Sequence, residues 1–499
     1  LPGSTPPELD FGTTVRGRWG GWGADIHALN FQSGVDKSKV VEMGRGTRLF
    51  FFGPQLTRYV DLKPATGWAK TKQSFSPELE TKLSYWGKVG FVKVIDSTDD
   101  KTKNYDKILF AVDKTKILSS TSMGAWSSWI PVKLKWKEID LDSNLKINII
   151  KLDAKTGNFK LRLLFDNLNS YITEPQAVAT ELRKAAGPMV DFVDNFPPQL
   201  IYLPEDKKTF LDEAHMSLKW HRKAAHYFLN ETTTDFFIQD TYTPNQMLTS
   251  RWWMGAIDPN SSRYDQFKDS EREKLWSEVH EVYKALDDIL GEYLKKADAN
   301  TYVILSSDHG ATALNQWVRV NNLLAKKGWL KFKLDKKTGE PIINWKESKA
   351  IYLKMNHIFI HPEGLAGNWK RASGKEYEKL RTDISQALNK LKDAKGIKPL
   401  AQVFKWEEAV DKLQLPAKRI GDLVIANKAG YGWNEEMTND LRIFEEPLKS
   451  GYKQAIFADT TPAMWTPFVI MGPGVKKNFK FTKPIRHVDQ YPTIFHLIG

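Results

Sequence analysis

Asp308 and His309 stand side by side where the run Thr301-Tyr302-Val303-Ile304-Leu305-Ser306-Ser307 ends, and Gly310 follows them at once. A carboxylate oxygen and an imidazole nitrogen at adjacent positions can grip one divalent cation, and that donor pair suits Zn²⁺ or Mn²⁺. The same residues also suit a plain turn, with Asp308 capping the backbone and His309 facing solvent. The preceding run is apolar and β-branched, which predicts a buried parallel strand, and a glycine lets the backbone leave the sheet. In open α/β sheets, ligands gather at the carboxyl ends of such strands.

The elements that would position this pair fall into two stretches. Up to about Phe165 the pattern is strand-rich: Val89–Ile95, Lys107–Val112, Leu145–Ile150 and Phe159–Phe165 lie between turns rich in Asp, Asn and Gly. No helix longer than a few turns is expected before Pro175, so residues 1–170 read as a β-rich, sandwich-like insert or cap domain. Its tryptophan-rich spots, Trp19–Trp22 and Trp126–Trp129, suit core or interdomain packing better than a binding platform. From Glu174 onward, helix and strand alternate. Asp212–Phe228, Ser270–Lys296, Tyr377–Leu391 and Gln490–Leu497 read as helices; in the second of these, Leu275, Val279, Val282, Leu286, Ile289 and Tyr293 recur at helical spacing. Asp235–Asp240, Ala350–Leu353, His357–Ile360, Asp422–Ala426 and Pro467–Met471 read as strands. The alternation predicts one sheet covered by helices on both faces over 171–499.

Composition narrows the function. The chain has 499 residues with 73 Lys+Arg against 60 Asp+Glu, a diffuse excess that favours an acidic substrate or surface without any nucleic-acid motif. Cysteine is absent, which excludes disulfides, thiolate catalysis and cysteine-held zinc, and fits an extracytoplasmic protein, periplasmic or secreted. No apolar stretch reaches the length of a membrane span.

Ser307–Gly310 is followed by Arg319–Leu324, Gly328–Leu330, Asn356–His361, Gly421–Ile425, Met471–Gly474 and Val488–Thr493. This order of motifs resembles the alkaline phosphatase superfamily, in its type I phosphodiesterase/nucleotide pyrophosphatase branch. Asp106–Phe110 and Gly124–Pro131 resemble the β-rich domain that some bacterial members insert. The resemblance implies an alkaline-phosphatase-like α/β core, incomplete here, sandwiched by helices. It also implies two-metal hydrolysis of phosphoric or sulfuric esters. Asp308 and His309 match the Asp-His pair of the family's first metal site. The remaining parts of that site, an early Asp and a Thr or Ser nucleophile, would lie upstream of Leu1; Ser4, Thr5, Thr13 and Thr14 lack the family's strand-to-helix context. The chain is therefore expected to clasp an N-terminal fragment of the same protein or to join a larger assembly.

The second metal site departs from the family. Thr243 and Met247 stand where an Asp and a His belong, and Asp459 is nearest to the position of the last His. A thioether and a hydroxyl are poor ligands for a hard cation. Two readings stay open: a single-metal hydrolase holding one Zn²⁺ or Mn²⁺, or an inactive hydrolase fold used for binding or structure. Arg251 and Lys453, beside the lost ligands, could supply the missing positive charge, and His487 could touch substrate. His357 and His361 alternate along one strand and so share a face, where they are expected to be buried or hydrogen-bonded. His215, His221 and His226 are expected to follow one helical face as structural residues. Trp252, Trp253 and Trp433 are expected in the core.

Overall fold

A computed structural model describes residues 12–13, 28–39, 57–69, 73–136, 138–166, 168–170, 173–190, 203–241, 243–336, 339–353, 356–365, 369–453 and 462–498. Trp19–Trp22, Ser4, Thr5, Thr14 and Asp459 lie outside these residues. The chain is a mixed α/β protein with several sheets.

Two five-stranded sheets occupy the first third. One runs in the order Thr57–Val60, Ala28–Ser33, Phe159–Phe165, Ile139–Leu152, Ile130–Trp136; the other comprises Lys63–Pro64, Leu79–Tyr85, Lys88–Ile95, Lys107–Ala111 and Ser119–Ser122. Their alternating apolar residues, among them Phe31, Leu83, Val92, Phe110, Ile147 and Leu163, form a single buried cluster. The strand Phe159–Phe165 is buried on both faces. Its second face carries Lys160 and Arg162, which meet Asp206 and Glu213 at the start of the helix Lys207–Glu231. Trp126 adds a bond from its indole N–H to Asp212 at 3.0 Å, so this tryptophan serves packing between elements.

The helix Lys207–Glu231 lies along Asp269–Lys296, and the expected periodic residues Leu275, Val279, Val282 and Ile289 are buried between them with Phe210, Met247 and Trp253. Asp235–Asp240 was expected to be a strand and is not one. It is an irregular segment with no ladder partner among the described residues. Phe237 turns inward onto Phe228 and Tyr293, and the amide of Gln239 is held by His221 and Tyr293, so side-chain anchoring replaces sheet pairing.

Instead of one continuous sheet, the later strands form separate small sheets. Thr312–Arg319 pairs in parallel with Gly430–Asn434 and antiparallel with Phe444–Glu445 and Gly451–Tyr452. Ala350–Leu353, His357–Ile360, Leu423–Asn427 and Leu400–Lys405 make an antiparallel set. The tight return before His357 uses Asn356 at φ 68°, and such a short return fixes an antiparallel pair. Val303–Ser306 pairs only with Phe468–Met471 among the described strands, antiparallel and half exposed, so the expected buried parallel strand is corrected. Leu305, Val469 and Met471 face outward on it.

The histidine expectations also change. The strand ends at Ile360, and His361 takes φ 49°, so it leaves the face of His357. On the long helix, His221 meets Gln239, whereas His215 and His226 are both exposed, His226 pairing with Glu292 at 3.2 Å, so the three do not share one face. At about 100° per residue, His215 and His226, eleven apart, fall within about 20° of one another, while His221 lies more than about 100° from either.

Burial pushes both His221 and His357 down to about 4. Between that value and the ordinary 6.5, the unfolded chain binds protons that the folded chain refuses. Stability is therefore full above about pH 6.5 and is lost as the pH falls toward 4, by on the order of 3 kcal/mol for each group. Urea unfolding at neutral pH and at about pH 4.5 should show this loss, and His357→Gln should flatten the slope. An unchanged slope in that variant would remove His357 from the account.

Candidate functional site

The Asp308-His309 pair sits on the turn between the strands Val303–Ser306 and Thr312–Arg319. Three long-range links fix that turn. The Gly310 N–H donates to the Ala463 carbonyl at 2.7 Å. Thr312 faces Tyr452 and Ala313 faces Gly451 in an antiparallel ladder. On the other flank, Ser306 faces Phe468 and its hydroxyl bonds Gln490 at 2.8 Å. Gly451 is required here: a Cβ at this position would meet the Leu248 carbonyl oxygen at 1.8 Å.

Within the turn, the His309 Nδ1–H donates to the Gly310 carbonyl at 2.8 Å. A carbonyl only accepts, so Nδ1 carries the proton and Nε2 presents its lone pair. Nε2 lies 3.6 Å from Asp308 Oδ2. Two ligands each about 2.1 Å from a tetrahedral zinc lie roughly 3.4 Å apart, so this edge fits one cation. The Asp308 side chain is 85% exposed and that of His309 23%, leaving the pair open to solvent on one side. Among the described residues, no group of three or more His, Cys, Asp or Glu side chains comes together around a metal position. The pair fits a divalent ion as two of its ligands.

The structure brings two further candidates to this turn. The ladders end at Ser306–Phe468 and Thr312–Tyr452, so Thr466 stands two residues beyond the first and Lys453 one residue beyond the second. Thr466 in turn meets His487 Nε2 through its hydroxyl at 3.0 Å. Arg251 is tied in less directly: the Ser250 carbonyl before it accepts both the N–H and the hydroxyl of Ser450, at 2.8 and 3.0 Å. Burial lowers the pKa of the neighbouring Arg263, and the positive charge of Arg251 adds to that shift.

Thr243 and Met247 are buried, the latter in the core with Trp253 and Phe210. Trp253 and Trp433 are buried as expected. Sequence reasoning missed Ser306, Thr466 and Gln490, because single polar residues beside strand ends carry no periodic signal.

The sequence profile for type I phosphodiesterase / nucleotide pyrophosphatase matches residues 201–452, about half of the chain. No curated protein matches at a significant level. Among solved structures, human ectonucleotide pyrophosphatase / phosphodiesterase 5 is similar at 17% identity over 56% of this chain and 58% of its own, with a TM-score of 0.32. Phosphonoacetate hydrolase from Sinorhizobium meliloti 1021, solved with phosphonoacetate, is similar at 12% identity over 60% and 58%, with a TM-score of 0.31. The chain thus spans 58% of the length of either structure, and likenesses this low carry no argument about activity. The profile match covers the Asp308-His309 turn and the strands on either side of it. The chain belongs to the type I phosphodiesterase / nucleotide pyrophosphatase family.

Proposed function

We propose that this chain takes part in metal-dependent hydrolysis of a phosphoric or sulfuric ester, with Asp308 and His309 as two ligands of a single divalent ion. The observation that carries the proposal is the oriented imidazole: Nδ1–H is fixed on the Gly310 carbonyl, and Nε2 stands 3.6 Å from the Asp308 carboxylate. An outer hydrogen bond of this kind sets the tautomer that a metal-binding histidine needs. A bound divalent cation supplies Lewis-acid polarisation of the ester and lowers the pKa of an attacking hydroxyl. In this reading, Lys453 and Arg251 offset the charge that builds up on the ester oxygens, and His487, positioned by Thr466, contacts the substrate. Burial of Thr243 and Met247 supports a lost second metal site. It also supports the second reading, in which the hydrolase fold persists as an inactive binding or structural component of an extracytoplasmic assembly.

Two further parts of the proposal concern organisation. Residues 1–170 act as a β-rich insert or cap domain, and 171–499 form the C-terminal part of the α/β core.

Metal analysis of the purified chain tests the site. It should hold about one equivalent of Zn or Mn, and Asp308→Ala should lower the affinity by well over tenfold, since even outer-shell changes cost ~10- to 100-fold. Metal content that survives Asp308→Ala and His309→Ala unchanged would rule the pair out. Metal bound at the pair without ester hydrolysis would select the inactive reading.

A further inference from the structure

The segment that follows the strand Phe468–Met471 is exposed well beyond His487, the one residue of it that the proposed activity uses. From Lys476 to Asp489 every residue is exposed. Lys476, Lys477, Lys480, Lys483 and Arg486 fall within it, and no Asp or Glu occurs before Asp489. Phe479 and Phe481 are interleaved with these cations, each 58% exposed, with ring centroids 5.3 Å apart. Ile485 and Val488 are exposed along the same stretch. The helix Gln490–Ile498 then continues without a single buried residue and presents Tyr491, Phe495 and Ile498 to solvent. Trp465 is exposed as well, one residue before the Thr466 that bonds His487. So many exposed aromatic and aliphatic side chains gathered along one segment mark an interaction face.

Charge decides what covers it. A second copy of the chain would set one lysine cluster against another, and like charges across a contact repel. Cations mixed with exposed aromatic rings, next to a short apolar helix, are the composition of a face that lies in the headgroup layer of an anionic bilayer. The lysines approach lipid phosphates while the phenyl rings and the helix enter the acyl boundary. Among the described residues no helix is long and apolar enough to cross a membrane, so the contact is peripheral. We propose that Lys476–Ile498, with Trp465, is a docking surface for an anionic lipid bilayer. Docking there would hold the Asp308 turn close to the membrane surface, because Gln490 at the start of that helix bonds Ser306 beside the turn.

Cosedimentation of the whole chain with vesicles tests this. Vesicles of phosphatidylcholine containing one third phosphatidylglycerol should bind the protein, and pure phosphatidylcholine should not. Each lysine near such a surface is worth about fivefold in partitioning, so the double variant Lys480→Gln/Lys483→Gln should bind roughly 25-fold more weakly. The double variant Phe479→Ser/Phe481→Ser should also bind more weakly while keeping the salt dependence. All four side chains are exposed, so circular dichroism should show both variants folded. Three results would overturn the proposal: no binding to the anionic vesicles, equal binding to both vesicle types, or binding unaffected by the lysine changes. If soluble polyglutamate binds as tightly as the vesicles and the phenylalanine changes have no effect, the partner is an acidic polypeptide and the bilayer is excluded.

Discussion

Replacing Arg162 by alanine should destabilise the folded chain by about 3–5 kcal/mol, the usual cost of stranding one member of a buried ion pair. Its guanidinium meets Glu213 through two bonds, Nε to Oε1 at 2.6 Å and Nη2 to Oε2 at 2.8 Å. Both side chains are almost wholly shielded, at 1% and 3% exposure. Beside them, Lys160 meets Asp206 at 2.6 Å. These two pairs bind the outer face of the strand Phe159–Phe165 to the start of the helix Lys207–Glu231, so the loss falls on the junction between β-rich and helical parts. Chemical unfolding of Arg162→Ala, Glu213→Ala and the double variant gives the coupling energy. Because both charges are then gone, the paired apolar replacement Arg162→Met/Glu213→Leu should fall much closer to the parent than either single alanine variant. A single-variant loss below about 1 kcal/mol would mean that water reaches this junction.

Asp422→Ala should cost a comparable ~3–5 kcal/mol, for a different reason. The Asp422 carboxylate is fully buried and accepts the Ile360 N–H at 2.6 Å, the Tyr377 hydroxyl at 2.6 Å and the Arg371 Nε–H at 3.1 Å. Alanine strands three donors at once. Asparagine keeps a single acceptor oxygen, so it can satisfy the Ile360 N–H or the Tyr377 hydroxyl but not both, and it offers no charge to Arg371; Asp422→Asn should recover only a minor part of the lost stability. Thermal unfolding distinguishes the two variants. Equal losses would show that the hydrogen bonding asparagine keeps contributes nothing once the charge is gone. The residue before it is constrained too: a Cβ on Gly421 would lie 2.6 Å from the Ile358 carbonyl oxygen.

That Gly421-Asp422 step shows what was legible in the sequence. As a motif it pointed to the family, and the family is shown, yet its physical task is to tie two strands and a helix together. The strand Phe159–Phe165 was placed to the residue, because strongly apolar runs between turn residues leave little freedom. The helix Asp269–Lys296 was placed to within one residue from its periodic stripe. Pairing direction was not legible. The run ending in Ser306 looked like a buried parallel strand, but its partner lies more than 160 residues away and local pattern cannot show which way that partner runs. Asp235–Asp240 misled in the same way: its alternation is real, but helices rather than strands receive the inward side chains. At the candidate site, Asp308 and His309 could be read as a pair, whereas Thr466, Gln490 and Ser306 could be found only once the ladders had set their positions.

The wide sequence gap across the Asp308 turn also sets a timetable. Gly310 is held by Ala463, and Ser306 by Phe468 and Gln490. On a ribosome adding about 5–20 residues each second, these partners appear roughly 8–30 s after the turn itself. During that interval Val303, Ile304 and Leu305 have no strand beside them among the described residues. The turn is therefore among the last parts of the chain to take shape, and until then its apolar strand is a natural client for a holding chaperone.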